Sequence, residues 1–306
     1  MITKRKYNTN TKTKKNKHNN KINSKISNIR TKKDTNNHNS ISVLSYNISW
    51  ESMSGAKKDW ALCSNNTNPK NPMHVSVCVS NIGKVINENP TDFITLQEAT
   101  EYKKLLRECP RLHKMQYNVH TSGLDVVVTF WDNKYKIIDS VEGEFEKGRP
   151  WMATIFTNGI CLINVHFGHY DSQEEYSKMV NMIKTINARI KIINARIKTI
   201  NARIKKTNKE NKENIIQCNR YIISGDFNYD IKDLAGGKGI IILDDIKFYH
   251  HHKHMLTCCI SRRRHYDHVI DSYKTPKDII IPDVEYMASD HKPIIGKLLI
   301  QMDKYV

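Results

Sequence analysis

Six short polar clusters stand at the ends of apolar runs in this chain. Their residue types are those that hold a divalent metal and orient a water. In chain order they are Ser45-Tyr46-Asn47, Leu96-Gln97-Glu98, Asn164-Val165-His166, Asp226-Phe227-Asn228, Tyr266-Asp267-His268 and Ser289-Asp290-His291. Carboxylates and amides supply the oxygen ligands that a hard cation prefers, and they can orient an attacking water. Imidazoles exchange protons near neutral pH and stabilise developing negative charge. Each cluster alone has a plainer reading: an acid at a strand end commonly forms a turn, and a lone His is usually structural. Their recurrence along one chain favours a shared site.

The elements that must position these clusters are mostly short strands. Ile41 to Tyr46, Asp92 to Leu96, Arg220 to Ser224, Tyr266 to Asp271 and Ile294 to Ile300 read as strands, each next to one of the clusters. Trp151 to Phe156 and Ile160 to His166 read as a hairpin closed at Asn158-Gly159. Asp125 to Trp131 and Tyr135 to Val141 read as adjacent strands joined at Asp132-Asn133, and Ile240 to Leu243 as a short strand. Val75 to Asn87 has helical periodicity, Glu101 to Glu108 is a short helix stopped by Pro110, and a helix starts near Ser172. Many strands with a few interposed helices predict a layered α/β domain of two packed sheets.

The chain has 306 residues and a formal net charge of +18. That charge is concentrated. Residues 1–40 carry 12 Lys and Arg against one acid, and residues 184–213 carry 10 against two, which leaves the remainder close to neutral. Net charge therefore says little about what the folded part binds. Residues 1–40, rich in Lys, Asn and Thr, read as a disordered basic tail, and residues 41–306 as the folded domain. Residues 186–206 repeat Ile-Asn-Ala-Arg-Ile with a period of seven, giving isoleucines at a/d spacing. This heptad helix, spanning about 184–213, either pairs with itself or a partner or lengthens one surface helix. The seven cysteines show no CxxC spacing, and Cys161 and Cys218 read as buried free thiols. With no signal peptide and no membrane span, the expectation is an intracellular protein, cytoplasmic or nuclear.

The ordered set SYNI, LQE, NVHFGH, SGDFN, YDHV and SDHKPI resembles the endonuclease/exonuclease/phosphatase superfamily, the deoxyribonuclease I-like group. The resemblance spans roughly residues 41–301. It implies a four-layer α/β sandwich: two packed mixed β-sheets flanked by helices. It also implies phosphoester hydrolysis with Mg²⁺ or Mn²⁺. Carried over residue by residue, Asn47 and Glu98 match metal-site positions, and Asp290 a carboxylate near the metal. Asp226 matches the residue that orients or deprotonates the attacking water. Asn228 matches an amide that holds the phosphate and that Asp. His291 matches the imidazole that donates to a phosphate oxygen, Asp267 the acid that orients it, and His166 a residue at the leaving oxygen or the phosphate.

Arg262, Arg263, Arg264 and Arg149 are candidate substrate contacts. The run His250 to His254 with Cys258-Cys259 lacks the usual ligand spacing of a zinc site. The expected activity is a nuclease cutting phosphodiester bonds by in-line attack of an activated water. A phosphatase acting on phosphoinositides or other small phosphate esters is the alternative, and an idle scaffold binding partners through the heptad helix and tail is a second.

Overall fold

The computed structural model describes residues 40–49, 74–205, 216–231, 239–250, 256–259, 264–274, 277–283 and 289–300. The expected tail lies outside these residues, apart from Ser40. Strands β1 (Ser40–Asn47), β2 (Phe93–Gln97), β3 (Met115–Ser122), β4 (Asp125–Asp132), β12 (Lys277–Ile280) and β13 (Ile294–Leu299) form one sheet in the order β12-β13-β1-β2-β4-β3. The second sheet holds β5 (Ile137–Glu146), β6 (Arg149–Phe156), β7 (Ile160–His166), β8 (Arg220–Asp226), β9 (Ile240–Leu243), β10 (Ile246–Tyr249) and β11 (Asp267–Asp271). Its order is β5-β6-β7-β8-β11-β10-β9.

Two strand pairs are parallel, β1 with β2 and β7 with β8. Parallel neighbours need a crossover, and each one here carries a helix. Helix α1 (His74–Glu88) lies between β1 and β2 in sequence, and α3 (Ser172–Lys205) between β7 and β8. The short α2 (Tyr102–Glu108) follows β2.

The strand alternation divides the apolar residues into three clusters. In β7, Ile160 and Leu162 face the core between the sheets with Val43, Phe93 and Ile222. Cys161, Ile163 and Val165 face outward against Met179, Ile183 and Ile186 of α3. Leu44 and Leu96 pack outward with Ile82 and Ile86 of α1. Both faces of the central strands are thus covered, which is why β7 and β8 are buried along their whole length. The result is the expected four-layer sandwich.

Three expectations change. Asp125–Asp132 and Ile137–Glu146 are not sheet neighbours: the Asp132-Asn133 turn carries the chain from one sheet to the other. The heptad isoleucines from Ile186 to Ile193 do not form an open seam. Ile186 and Ile190 are buried in the domain's own core, with Ile193 packed against it. The repeat asparagines bond within the domain too: Tyr221 donates to Asn187, and Asn194 exchanges hydrogen bonds with the backbone of Ile216. A coiled coil is therefore not supported for the first repeat, because the sheet already occupies its apolar face. Residues 206–213 lie outside the described residues. Finally, Cys161 and Cys218 are not free thiols. They form a disulfide with Cα atoms 5.6 Å apart, joining the start of β7 to the lead-in of β8. Cys258 and the adjacent Cys259 are also joined, and Cys78 is disulfide-bonded. No helix among the described residues is long and apolar enough to cross a membrane.

Candidate active site

The register of the central strands builds the site row by row. Side chains two apart on a strand share a face. Val43, Phe93, Leu162, Ile222 and Val269 form the apolar layer between the sheets. On β1, β2, β7 and β8 the next position is polar (Ser45, Thr95, Asn164 and Ser224), and all of these but Ser45 bond across the gap, whereas on β11 the next position is already Asp267. Thr95 and Ser224 hydroxyls lie 2.9 Å apart, and Gln97 Nε2 donates to Asn164 Oδ1 at 2.8 Å. Asn164 Nδ2 also donates to the backbone oxygens of Leu96 and Val128, tying one sheet to the other. One step further, His166 pairs with Asp226 and Asp226 with Asp267 across the ladder, while Asn47 ends β1. A dry core thus becomes a polar floor and then a cluster of acids, an amide and imidazoles.

Asp226 is central. Its Oδ2 accepts from Asn47 Nδ2 at 2.9 Å, and its Oδ1 accepts from the backbone N–H of Asn228 at 2.8 Å. His166 Nε2 and His291 Nε2 each lie 3.6 Å from Oδ2. Asn47 Nδ2 also donates to Glu98 Oε1 at 3.0 Å, so a single amide links two carboxylates. Glu98 and Asn228 sit just past strand ends with φ of 55° and 52°. For Glu98 that left-handed conformation costs energy, and such strain concentrates at functional sites.

Gly225 makes the placement of Asp226 feasible. Its φ is +154°, and a Cβ there would lie 1.9 Å from the Val165 carbonyl oxygen. Only glycine lets β8 pass β7 this closely.

Two imidazoles flank Asp226, each backed by an acid. His291 Nδ1 lies 2.9 Å from Asp267 Oδ2. The Ser289 hydroxyl accepts from the His291 backbone N–H and donates to the Asn47 carbonyl, which fastens the final loop to β1. Thr257 Oγ1 accepts from the Asp267 backbone N–H at 3.0 Å. On the other side His166 Nδ1 bonds Asp125 Oδ2. Arg149 Nη1 lies 2.7 Å from His166 Nε2. Guanidinium only donates, so Nε2 is the unprotonated nitrogen here and Nδ1–H donates to Asp125.

Burial and charge oppose each other across the site. Burial disfavours the charged form of His291, yet Asp267, Asp226 and Asp290 outweigh it and raise the pKa well above the ordinary value. His166 behaves alike: Asp125, Asp226 and Glu98 overcome burial and raise it. Burial pushes the Glu98 carboxyl up, against the pull of His166. Acid groups therefore crowd a buried space, and their charge favours cations there. Asp226, Asp267 and His291 have ligand atoms within 4.8 Å of one another, a spacing that can hold a metal ion. Asp267 Oδ1 is buried without a hydrogen-bond partner.

The structure thus brings together Asn47, Glu98, His166, Asp226, Asn228, Asp267, Asp290 and His291, with Arg149 at His166. Asn228 differs in detail from the expectation. Its side-chain amide donates to the Phe167 carbonyl, and its backbone N–H is what holds Asp226. Asp290 is partly exposed, and its backbone oxygen accepts from Cys259. Arg264 is exposed in a backbone bridge with Cys258, and Arg262 and Arg263 lie outside the described residues. Asp125 escaped the sequence reading because it opens an apolar strand. Only the cross-sheet contact with His166 reveals its role.

Two face-to-face mixed sheets with this row at one edge define the deoxyribonuclease I-like fold, that of the endonuclease/exonuclease/phosphatase structures. Among solved structures, ANGEL2, a 2′,3′-cyclic phosphatase, superposes with a TM-score of 0.56 at 14% identity, covering 86% of this chain and 96% of that one. The human nocturnin catalytic domain gives 0.53 at 12% identity over 84% and 93%. Truncated TDP2 from Caenorhabditis elegans gives 0.51 at 13% identity over 85% and 98%. At such identities the likeness is one of fold. No family model matches the sequence. An uncharacterised protein of Acanthamoeba polyphaga mimivirus is 27% identical over 250 residues, covering 74% of this chain and 45% of that protein. The chain thus spans less than half the length of this curated relative.

Proposed function

We propose that this chain is a divalent-metal-dependent phosphoesterase and that it hydrolyses phosphodiester bonds in nucleic acid. The observation that carries this reading is the clamped Asp226. One carboxylate oxygen is held by Asn47 and the other by the Asn228 N–H, with two acid-backed imidazoles 3.6 Å away. A carboxylate fixed at both oxygens is oriented to align a water and take its proton. His291, kept cationic by Asp267 and Asp226, donates from Nε2 to a phosphate oxygen as charge develops. His166 Nε2 is occupied by Arg149. A bound phosphate competes for that guanidinium, and His166 then gains the proton that its three acid neighbours favour. Arg149 grips the phosphate, and His166 Nε2–H faces the leaving oxygen. Mg²⁺ or Mn²⁺, held by Glu98 with Asn47 and Asp290 nearby, would supply neutralisation of phosphate charge.

A phosphatase of small esters is the second reading. The near-neutral charge outside the two basic segments and the likeness to ANGEL2 favour it. A panel separates the two. Single- and double-stranded DNA, RNA, a 2′,3′-cyclic nucleotide and a generic phosphomonoester are each incubated with Mg²⁺ and with chelator. Chelator-sensitive polynucleotide cleavage supports the nuclease. Turnover of the small esters alone supports the phosphatase and overturns the nuclease reading. Inactivity on the whole panel overturns both, and together with tight partner binding it supports a scaffold.

A further inference from the structure

We propose a second metal site, separate from the catalytic row: a zinc-type site with three protein ligands, His250, His265 and His268. Fourteen residues separate His250 from His265 in the sequence, and strand pairing brings His250 beside His268. His250 follows β10, and His268 is the second residue of β11, with His265 on the approach to that strand. Antiparallel pairing sets Tyr249 opposite Asp271, so His250 continues along the β11 edge.

One ring nitrogen from each imidazole belongs to a set whose members all lie within 4.8 Å of one another. The ring centroids are 4.4, 5.2 and 6.0 Å apart. His250 Nε2 and His268 Nδ1 share a hydrogen bond of 3.3 Å, whose proton a bound ion would displace. Two nitrogens bound at about 2.0–2.1 Å to a tetrahedral ion are separated by roughly 3.3–3.4 Å, so this pair is already at ligand spacing.

The supporting contacts also fit a metal. His268 Nε2 donates to the carbonyls of Tyr229 at 3.0 Å and His265 at 3.1 Å. In the neutral ring this fixes the tautomer whose Nδ1 lone pair faces His250. A backbone carbonyl holding the distal nitrogen is the usual support of a metal-bound imidazole. The Asp230 carboxylate lies 3.8 Å from His265 Nδ1 and adds negative charge beside the cluster. Three imidazoles suit zinc or a neighbouring transition ion; magnesium and calcium prefer oxygen. His265 and His268 are buried and His250 is partly buried. An ion here pins the segment that carries Thr257, whose hydroxyl holds Asp267.

The test is a Zn²⁺ titration of the full chain, stripped by chelator and held in excess Mg²⁺ to fill the oxygen-rich catalytic row. Wild type, His250→Gln and Asp226→Asn are compared. One tight equivalent of zinc is expected in wild type and in Asp226→Asn. His250→Gln should weaken it on the order of 100-fold, at or beyond the upper range for disturbing even the outer support of a metal site. Zinc-edge X-ray absorption of the wild-type protein is independent of any variant and should show an imidazole-rich shell. The proposal is overturned by the absence of a tight equivalent, by its loss in Asp226→Asn, or by an absorption spectrum dominated by carboxylate.

Discussion

Replacing Glu175 with Gln should change the pH dependence of stability. Glu175 lies in the first turn of α3, fully buried, and neither carboxylate oxygen has a hydrogen-bond partner. Burial, aided by Asp226, pushes its pKa from 4.5 up to about 9. In the unfolded chain the same group ionises near its ordinary value. Between the two pKa values the folded state therefore holds a proton that the unfolded state has released. Stability is full below the lower value and declines as pH rises, levelling off above about 9. Each pH unit in that window costs at most about 1.4 kcal/mol, so the three units from about pH 5.5 to 8.5 set a ceiling of about 4 kcal/mol. Gln has nearly the same shape and cannot ionise.

The assay is urea unfolding at both pH values, followed by fluorescence of the buried Trp131 and Trp151. The wild type should lose at least about 2 kcal/mol more than Glu175→Gln over this interval, half the ceiling, because water penetration and relaxation soften such penalties. Parallel pH slopes in the two proteins would refute the reasoning. They would mean that Glu175 is charged in the folded state.

Two further outcomes follow from the backbone and the cysteines. Gly225→Ala should destabilise by more than about 4 kcal/mol or prevent folding, since its Cβ would collide with the Val165 carbonyl. A soluble variant with wild-type unfolding would contradict the strand geometry. Thiol titration of denatured protein should find Cys161 and Cys218 unreactive until a reductant is added. Immediate labelling of both would show that they are not paired.

The site was legible in the sequence because the inner-face positions of β1, β7 and β8 follow one rule. An apolar residue, a small polar residue and a functional residue succeed each other at period two, as in Leu162, Asn164 and His166. The same rule placed the central strands. It failed at β3, β10 and β12. The first of these is only partly buried and mixes Asn118, His120 and Thr121 into its length, and the others have only four residues each. It failed again at Asp132-Asn133, where a hairpin-like turn joins two sheets. Turn chemistry fixes the reversal of the chain and leaves its partner open. The heptad pattern marked a helix correctly, but periodicity alone cannot say whether a neighbouring helix or the chain's own sheet covers the apolar face. Asp125 and Glu175 were invisible for a common reason: each is defined by contacts with residues far apart in sequence.

The most direct test of the central claim compares Mg²⁺-dependent phosphodiester hydrolysis by wild type and Asp226→Asn, on the best substrate of the panel. The substitution keeps the shape of the side chain but removes the charge that orients and accepts the water proton. The account predicts a loss of about two orders of magnitude or more in kcat, with an unchanged circular dichroism spectrum. Wild-type turnover in the purified, folded variant would contradict it.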